Sequence, residues 1–190
     1  MNQNQILSTK RIVIAGLMAA LTVAGSAMRI TLPVDIAGTT SFHLGNIMCA
    51  LSGVLLGPWL GGFAAGLGSA IYDMMNPLYI SEAWITFLMK GIYGLMAGLI
   101  VRGTDFHPFT YRRALIGTTA GALSYAALYL AKSYFYSGLF LNGLTPDVAL
   151  IALMGKLPAT IFNAAVAVIC TPLLAIAIEK ALAQNHLSID

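Results

Sequence analysis

Read from its first residue, the chain is a series of long apolar runs separated by short polar breaks. The runs cover about 12–28, 42–56, 60–75, 84–101, 114–134 and 148–183. The runs 84–101, 114–134 and 148–183 reach the roughly 18–20 residues that carry a helix across a bilayer core, and the other three come close to it. They lack the apolar–polar alternation over about 10 residues that marks barrel strands. The breaks have recognisable chemistry. Gly57-Pro58 separates the second and third runs, because proline disfavours helix at the residue before it, and Asn76-Pro77 ends the third. The segment 29–41 (RITLPVDIAGTTS), with Pro33 and Gly38, is expected to be a polar loop folding over one end of the bundle. Pro158 and Pro172 fall inside the sixth run. They predict either one bent helix or a re-entrant piece followed by a helix. The pattern predicts an all-α membrane protein: six transmembrane helices in a single compact bundle that takes in residues 1–190.

Composition strengthens that reading. Of 190 residues, 58% are hydrophobic and 9% charged, against roughly a quarter charged in a soluble domain. Mean hydropathy is +0.82. The net charge of +3 matters less than its placement. Lys10, Arg11, Arg102, Arg112, Arg113 and Lys180 fall on the side that holds both termini, whereas Arg29 alone lies clearly on the other. The positive-inside rule then makes both termini cytoplasmic. Lys10-Arg11, the apolar run and Ala24–Ala27 mimic a cleaved leader, but the run is long enough to span and further spans follow, so it is read as the first helix. Cys49 and Cys170 sit within apolar runs and read as small hydrophobic fillers. No internal repeat is evident, which leaves inverted-repeat transport architecture without support.

Ionisable side chains inside spans are expensive and usually face partners within the protein. Asp73 and Lys90 fall at the same level of two neighbouring helices, so a structural ion pair between them is expected. A ligand contact by Lys90 is the competing assignment. Around that level gather His43 and Asn46, one turn apart; Tyr79 in the loop after the third run; Tyr125, Tyr129 and Lys132 along one face; and Lys156 and Asn163 in the last run. An interfacial aromatic belt explains part of this set but not Lys90 or Asn163, which lie deeper. Apolar walls with a few placed polar groups suit a small organic ligand, and the rings suit a flat heteroaromatic one. Phosphate-loop, dinucleotide and H-E-x-x-H motifs are missing, and the three histidines are scattered. The sequence therefore predicts no cofactor, no metal, no nucleic-acid partner and no enzymatic role. In the first run two small-residue stripes lie side by side, Ala15-Ala19-Val23 and Gly16-Ala20-Ala24, and such faces let another helix come close.

These residues carry a resemblance. The small-residue stripe and the series F-H-L-G-N, L-L-G-P-W-L-G-G, G-L-G-S-A-I-Y-D and T-F-L-M-K-G resemble the substrate-binding S components of energy-coupling factor (ECF) vitamin transporters, of the riboflavin-type or hydroxymethylpyrimidine/pyridoxine-type subgroup. The resemblance covers nearly the whole chain and is strongest over 42–99. It implies a multi-pass protein of a prokaryotic cell membrane. Such a protein binds a water-soluble B-type vitamin at its outer face and docks through its first helix on a membrane scaffold (T) subunit carrying two ATPase subunits. It carries the docking contact onto Ala15 and Ala19. Its pocket, between the outer halves of helices four to six, falls on Lys90, Tyr125, Tyr129, Lys132, Lys156 and Asn163. Asn46 is a departure, since relatives often carry aspartate after H-L-G. Riboflavin, pyridoxine and hydroxymethylpyrimidine are the favoured substrates, with cobalamin open. A stand-alone secondary vitamin transporter and a small membrane-embedded enzyme or assembly factor are the alternatives.

Overall fold

The computed structural model describes residues 8–34, 38–103, 110–186 and 189; the predicted connection 102–113 therefore lies partly outside the described residues. Helix α1 spans Thr9–Ala27, and Ser8 caps it by accepting from Arg11 N at 3.4 Å. Strands β1 (Arg29–Val34) and β2 (Gly38–His43) follow as an antiparallel pair, with Ile30 opposite Phe42. This corrects the expected polar loop, and it also corrects the expected start of the second helix. Phe42 and His43 belong to β2, and helix α2 begins only at Gly45, running Gly45–Leu56. Phe42 is drawn away from the helix by pairing with Ile30 and by an edge-on contact with Phe162, ring centroids 4.8 Å apart.

Helix α2 is the axis of the molecule: every residue in it but Met48 is buried. At 12 residues it is about 18 Å long, shorter than a bilayer core, and its neighbours shield it. Gly57 ends α2 and starts helix α3 (Pro58–Met74). Its φ of +80° suits glycine, and Pro58 supplies a φ ready for the first turn of a helix. A 3₁₀ turn, Ile80–Glu82, leads to helix α4 (Ala83–Val101). Helices α3 and α4 share the most extensive contact in the fold. Glycines allow it, since a Cβ on Gly62 would lie 2.8 Å from Gly91 O, and one on Gly66 would lie 2.6 Å from Phe87 O.

Helix α5 (Tyr111–Ala131) does not end near 134 as expected. It passes directly into a π-helical segment, Lys132–Leu141, which occupies much of the expected 136–147 loop. Helix α6 runs Pro146–Gln184 without a break through Pro158 and Pro172, which decides for one long helix over a re-entrant piece plus a helix. Among the described residues four helical stretches are long and apolar enough to cross a membrane: Thr9–Ala27, Ile80–Val101, Tyr111–Leu141 and Pro146–Gln184. Helices α2 and α3, at 12 and 17 residues, are shorter. Large apolar side chains such as Val13, Phe63, Leu123 and Ile161 point outward, as lipid-facing surfaces require. The protein is a helical membrane protein with one small β-ribbon.

Ala15 and Ala19, expected as a surface for a partner, are buried within the chain, at 8% and 6% exposure. Gly68 of α3 packs so tightly on α1 that a Cβ there would meet Thr22 Cβ at 2.7 Å, as well as the Ala19 carbonyl. The neighbouring stripe, Gly16, Ala20 and Ala24, is the one that faces outward, and a Cβ on Gly16 would meet nothing within 4 Å.

Candidate ligand-binding site

A cavity of about 390 Å³ opens among the C-terminal end of α1, the β-ribbon, the start of α2, the end of α3, the 3₁₀ turn, the start of α4, the end of α5 and the first half of α6. His43, Asn46, Tyr79, Lys90, Tyr125, Tyr129, Lys132, Lys156 and Asn163 all line it, as does Asp73. Five separate stretches of sequence thus converge on one space.

One wall is aromatic. Tyr125 and Tyr129, one turn apart on α5, stack at 5.9 Å between ring centroids. Tyr93 of α4 continues the stack beneath them, 5.6 Å from Tyr125 at an interplanar angle of 15°. Gly121 makes room for it, because a Cβ there would lie 2.8 Å from the Tyr93 ring. The Lys90 ammonium lies 4.0 Å from the Tyr125 ring centroid, a cation–π contact, and donates a hydrogen bond to Asn46 Oδ1. The expected Asp73–Lys90 ion pair is not formed: among the described residues no salt bridge joins them. The first turn of α2 presents the Asn46 amide to Lys90, and Asp73 instead sits against Thr86. Asn46 thus gives Lys90 a neutral acceptor.

Polar side chains line the cavity as well. Lys132, the first residue of the π-helical segment, forms a 2.6 Å salt bridge with Glu82, which also accepts from Ser137 Oγ at 3.3 Å. Lys156 lies on α6 with 6% of its surface exposed. Across the mouth, the Arg29 guanidinium lies 4.3 Å and 5.0 Å from the ring centroids of Tyr72 and Tyr79 and donates from Nε to Ser26 O at 2.9 Å.

The ribbon is fastened to α6 by one side chain. Asn163 Oδ1 accepts from His43 N at 3.0 Å, and its Nδ2 donates to Ser41 O at 2.7 Å. His43 Nδ1 accepts from Gly45 N at 3.2 Å, which leaves Nε2–H as the ring's donor. Removal from water, reinforced by the charges of Lys90 and Arg29, holds the His43 pKa well below 6.5. The imidazole is therefore neutral at pH 7. Among the described residues no group of three His, Cys, Asp or Glu side chains could hold a metal.

Sequence reasoning did not single out Arg29, Glu82 or Ser137 as site residues. Arg29 had a signal, being the lone basic residue clearly on its side of the chain. Ser137 has none, because the hydrophobic run ends the helix near 134.

Residues 6–180 match the family described as ECF-type riboflavin transporter, S component. The chain belongs to this family. Such S components are parts of vitamin transporters. Among similar proteins, an uncharacterised protein of Pyrococcus woesei is 36% identical over 119 residues, 63% of this chain and 74% of that one. A UPF0397 protein of Streptococcus agalactiae is 33% identical over 103 residues, 54% of this chain and 52% of that protein. One from Streptococcus gordonii is 34% identical over 91 residues. The chain spans about half the length of these streptococcal relatives.

Proposed function

We propose that this S component captures a water-soluble B-type vitamin or precursor in the cavity lined by Tyr125, Tyr129 and Lys90, and delivers it for ATP-driven uptake with a scaffold subunit and two ATPase subunits. The observation that carries the reading is the stack of Tyr93, Tyr125 and Tyr129 with the Lys90 ammonium over its middle ring, Tyr125, Tyr129 and Lys90 lining the cavity. A volume of about 390 Å³ lies toward the small end of roughly 300–1,000 Å³ ligand sites. It suits one flat heteroaromatic such as riboflavin, pyridoxine or hydroxymethylpyrimidine, and is small for a corrinoid.

In this reading the short helices α2 and α3 complete six spans, both termini are cytoplasmic, and the ribbon and cavity face outside the cell. Docking on the scaffold uses α1 through its outward stripe Gly16, Ala20 and Ala24 rather than Ala15 and Ala19. The deciding experiment is mass spectrometry of the small molecule released from the purified full chain, with a thermal-shift panel of B vitamins beside it. A heteroaromatic vitamin released from the protein and stabilising it is the expected result. If none is released and none stabilises, the reading falls. Uptake in a host without any ECF scaffold would instead favour a stand-alone transporter.

A further inference from the structure

Among the described residues the cavity holds four cations, Arg29, Lys90, Lys132 and Lys156, against two carboxylates, Asp73 and Glu82. Three of the cations are occupied. Arg29 lies over two rings and donates to Ser26 O. Lys90 donates to Asn46 above Tyr125. Lys132 is paired with Glu82 at 2.6 Å.

Lys156 differs. The residue is only 6% exposed, and it lines the cavity. Among the described residues its ammonium has no hydrogen-bond or salt-bridge partner. The charges that act on it are Lys132 and Glu82, and Glu82 is already engaged by Lys132. This end of the cavity therefore has two lysines, Lys132 and Lys156, to one carboxylate, Glu82, which Lys132 engages. A buried ammonium is costly unless an opposite charge or several acceptors meet it, and intramembrane ionisable groups ordinarily mark a substrate contact.

Building on the vitamin reading, we propose that the ligand is a flat heteroaromatic bearing an anionic oxygen group, a phosphate monoester or a carboxylate, which seats on Lys156 beside Lys132 while the ring lies against the tyrosine wall. The ligand then supplies the missing negative charge, and discrimination against neutral analogues follows from leaving Lys156 unpaired.

The test is calorimetric titration of the detergent-solubilised full chain with three matched pairs: riboflavin and riboflavin 5′-phosphate, pyridoxal and pyridoxal 5′-phosphate, nicotinamide and nicotinate. In at least one pair the anionic member should bind at least 10-fold tighter, and the pair that responds distinguishes phosphate from carboxylate. Lys156→Met should remove that preference, and Lys156→Arg should keep it. The arginine variant and the neutral ligand together guard against a misfolded Lys156→Met. Equal or tighter binding of the neutral member in every pair, or a preference that survives Lys156→Met, overturns the proposal and leaves the vitamin reading standing. Failure of all six compounds to bind overturns the proposal, and the vitamin reading is then decided by the mass-spectrometric and thermal-shift result.

Discussion

The two ends of the bundle bury positive charge in opposite ways. At the end away from the cavity, Arg11 Nη2 donates to Leu56 O at 2.6 Å and Arg102 Nε donates to Val54 O at 3.0 Å, while Arg102 also pairs with Glu179 at 2.8 Å. These carbonyls belong to the last turn of α2, where helix acceptors lack intrahelical partners and the helix dipole is negative. Two planar guanidiniums thus finish a helix and seal that end. At the other end the buried cations include Lys90 and Lys156, point-like ammoniums on flexible stems. Lys90 meets a side-chain amide and a ring, and Lys156 meets the cavity. Similar charge is consumed by backbone at one end and held available at the other.

This contrast can be broken most forcefully at the sealed end. Arg102→Met leaves Val54 O without its donor and Glu179 without its partner. Stability should fall by about 3 kcal/mol, read as a lower denaturation midpoint in detergent, while the Kd of the protein that remains folded should hold. A loss of binding without a loss of stability would mean that the two ends are not separate. The open end should respond in the reverse sense. Tyr125→Ala removes the middle ring of the stack and the face under Lys90, so vitamin binding should weaken by about 10-fold or more, with a stability cost near 1 kcal/mol.

The smallest effect is expected at the rim. The folded-state pKa of His43 lies well below the ordinary 6.5. Between those two values the unfolded chain binds more protons than the folded one, so stability rises with pH there. The His43 contribution is complete above about pH 6.5 and is lost as pH falls toward the folded-state pKa. A His43→Gln variant should lack this part of the acid dependence. The difference between its stability–pH curve and that of the unaltered protein isolates it from the carboxylates.

Much of the helical frame is legible in the sequence because hydrophobic runs and Gly-Pro punctuation are local signals. Convergence of the intramembrane polar residues on one space was legible too, since burial cost alone says that Lys90, Lys156 and Asn163 need a common interior. The partners were not. Asp73 looked right for Lys90 by level and sequence proximity, whereas Asn46 reaches it from a helix 44 positions earlier. The stripes Ala15-Ala19 and Gly16-Ala20 differ by one residue, about 100° around α1, and only the position of α3 decides which is covered. The ribbon was missed although RITLPV alternates polar and apolar positions in part, because Pro33 and Gly38 read as loop signals. The π-helical segment leaves no simple pattern, since its widened turn shifts the face that side chains share.

Helix α6 is also a mechanical member. It holds the ribbon through the adjacent residues Phe162 and Asn163, and it holds the sealed end through Glu179. The separation of 16 residues is about 24 Å along the axis. Between them Pro172 omits one backbone hydrogen bond, giving the rod a compliant point. A tilt of only about 5° over that length displaces one end by on the order of 2 Å, enough to part the Asn163 amide from the strand it grips. Leverage of this kind would let a push at one face of the membrane be felt as slack at the other.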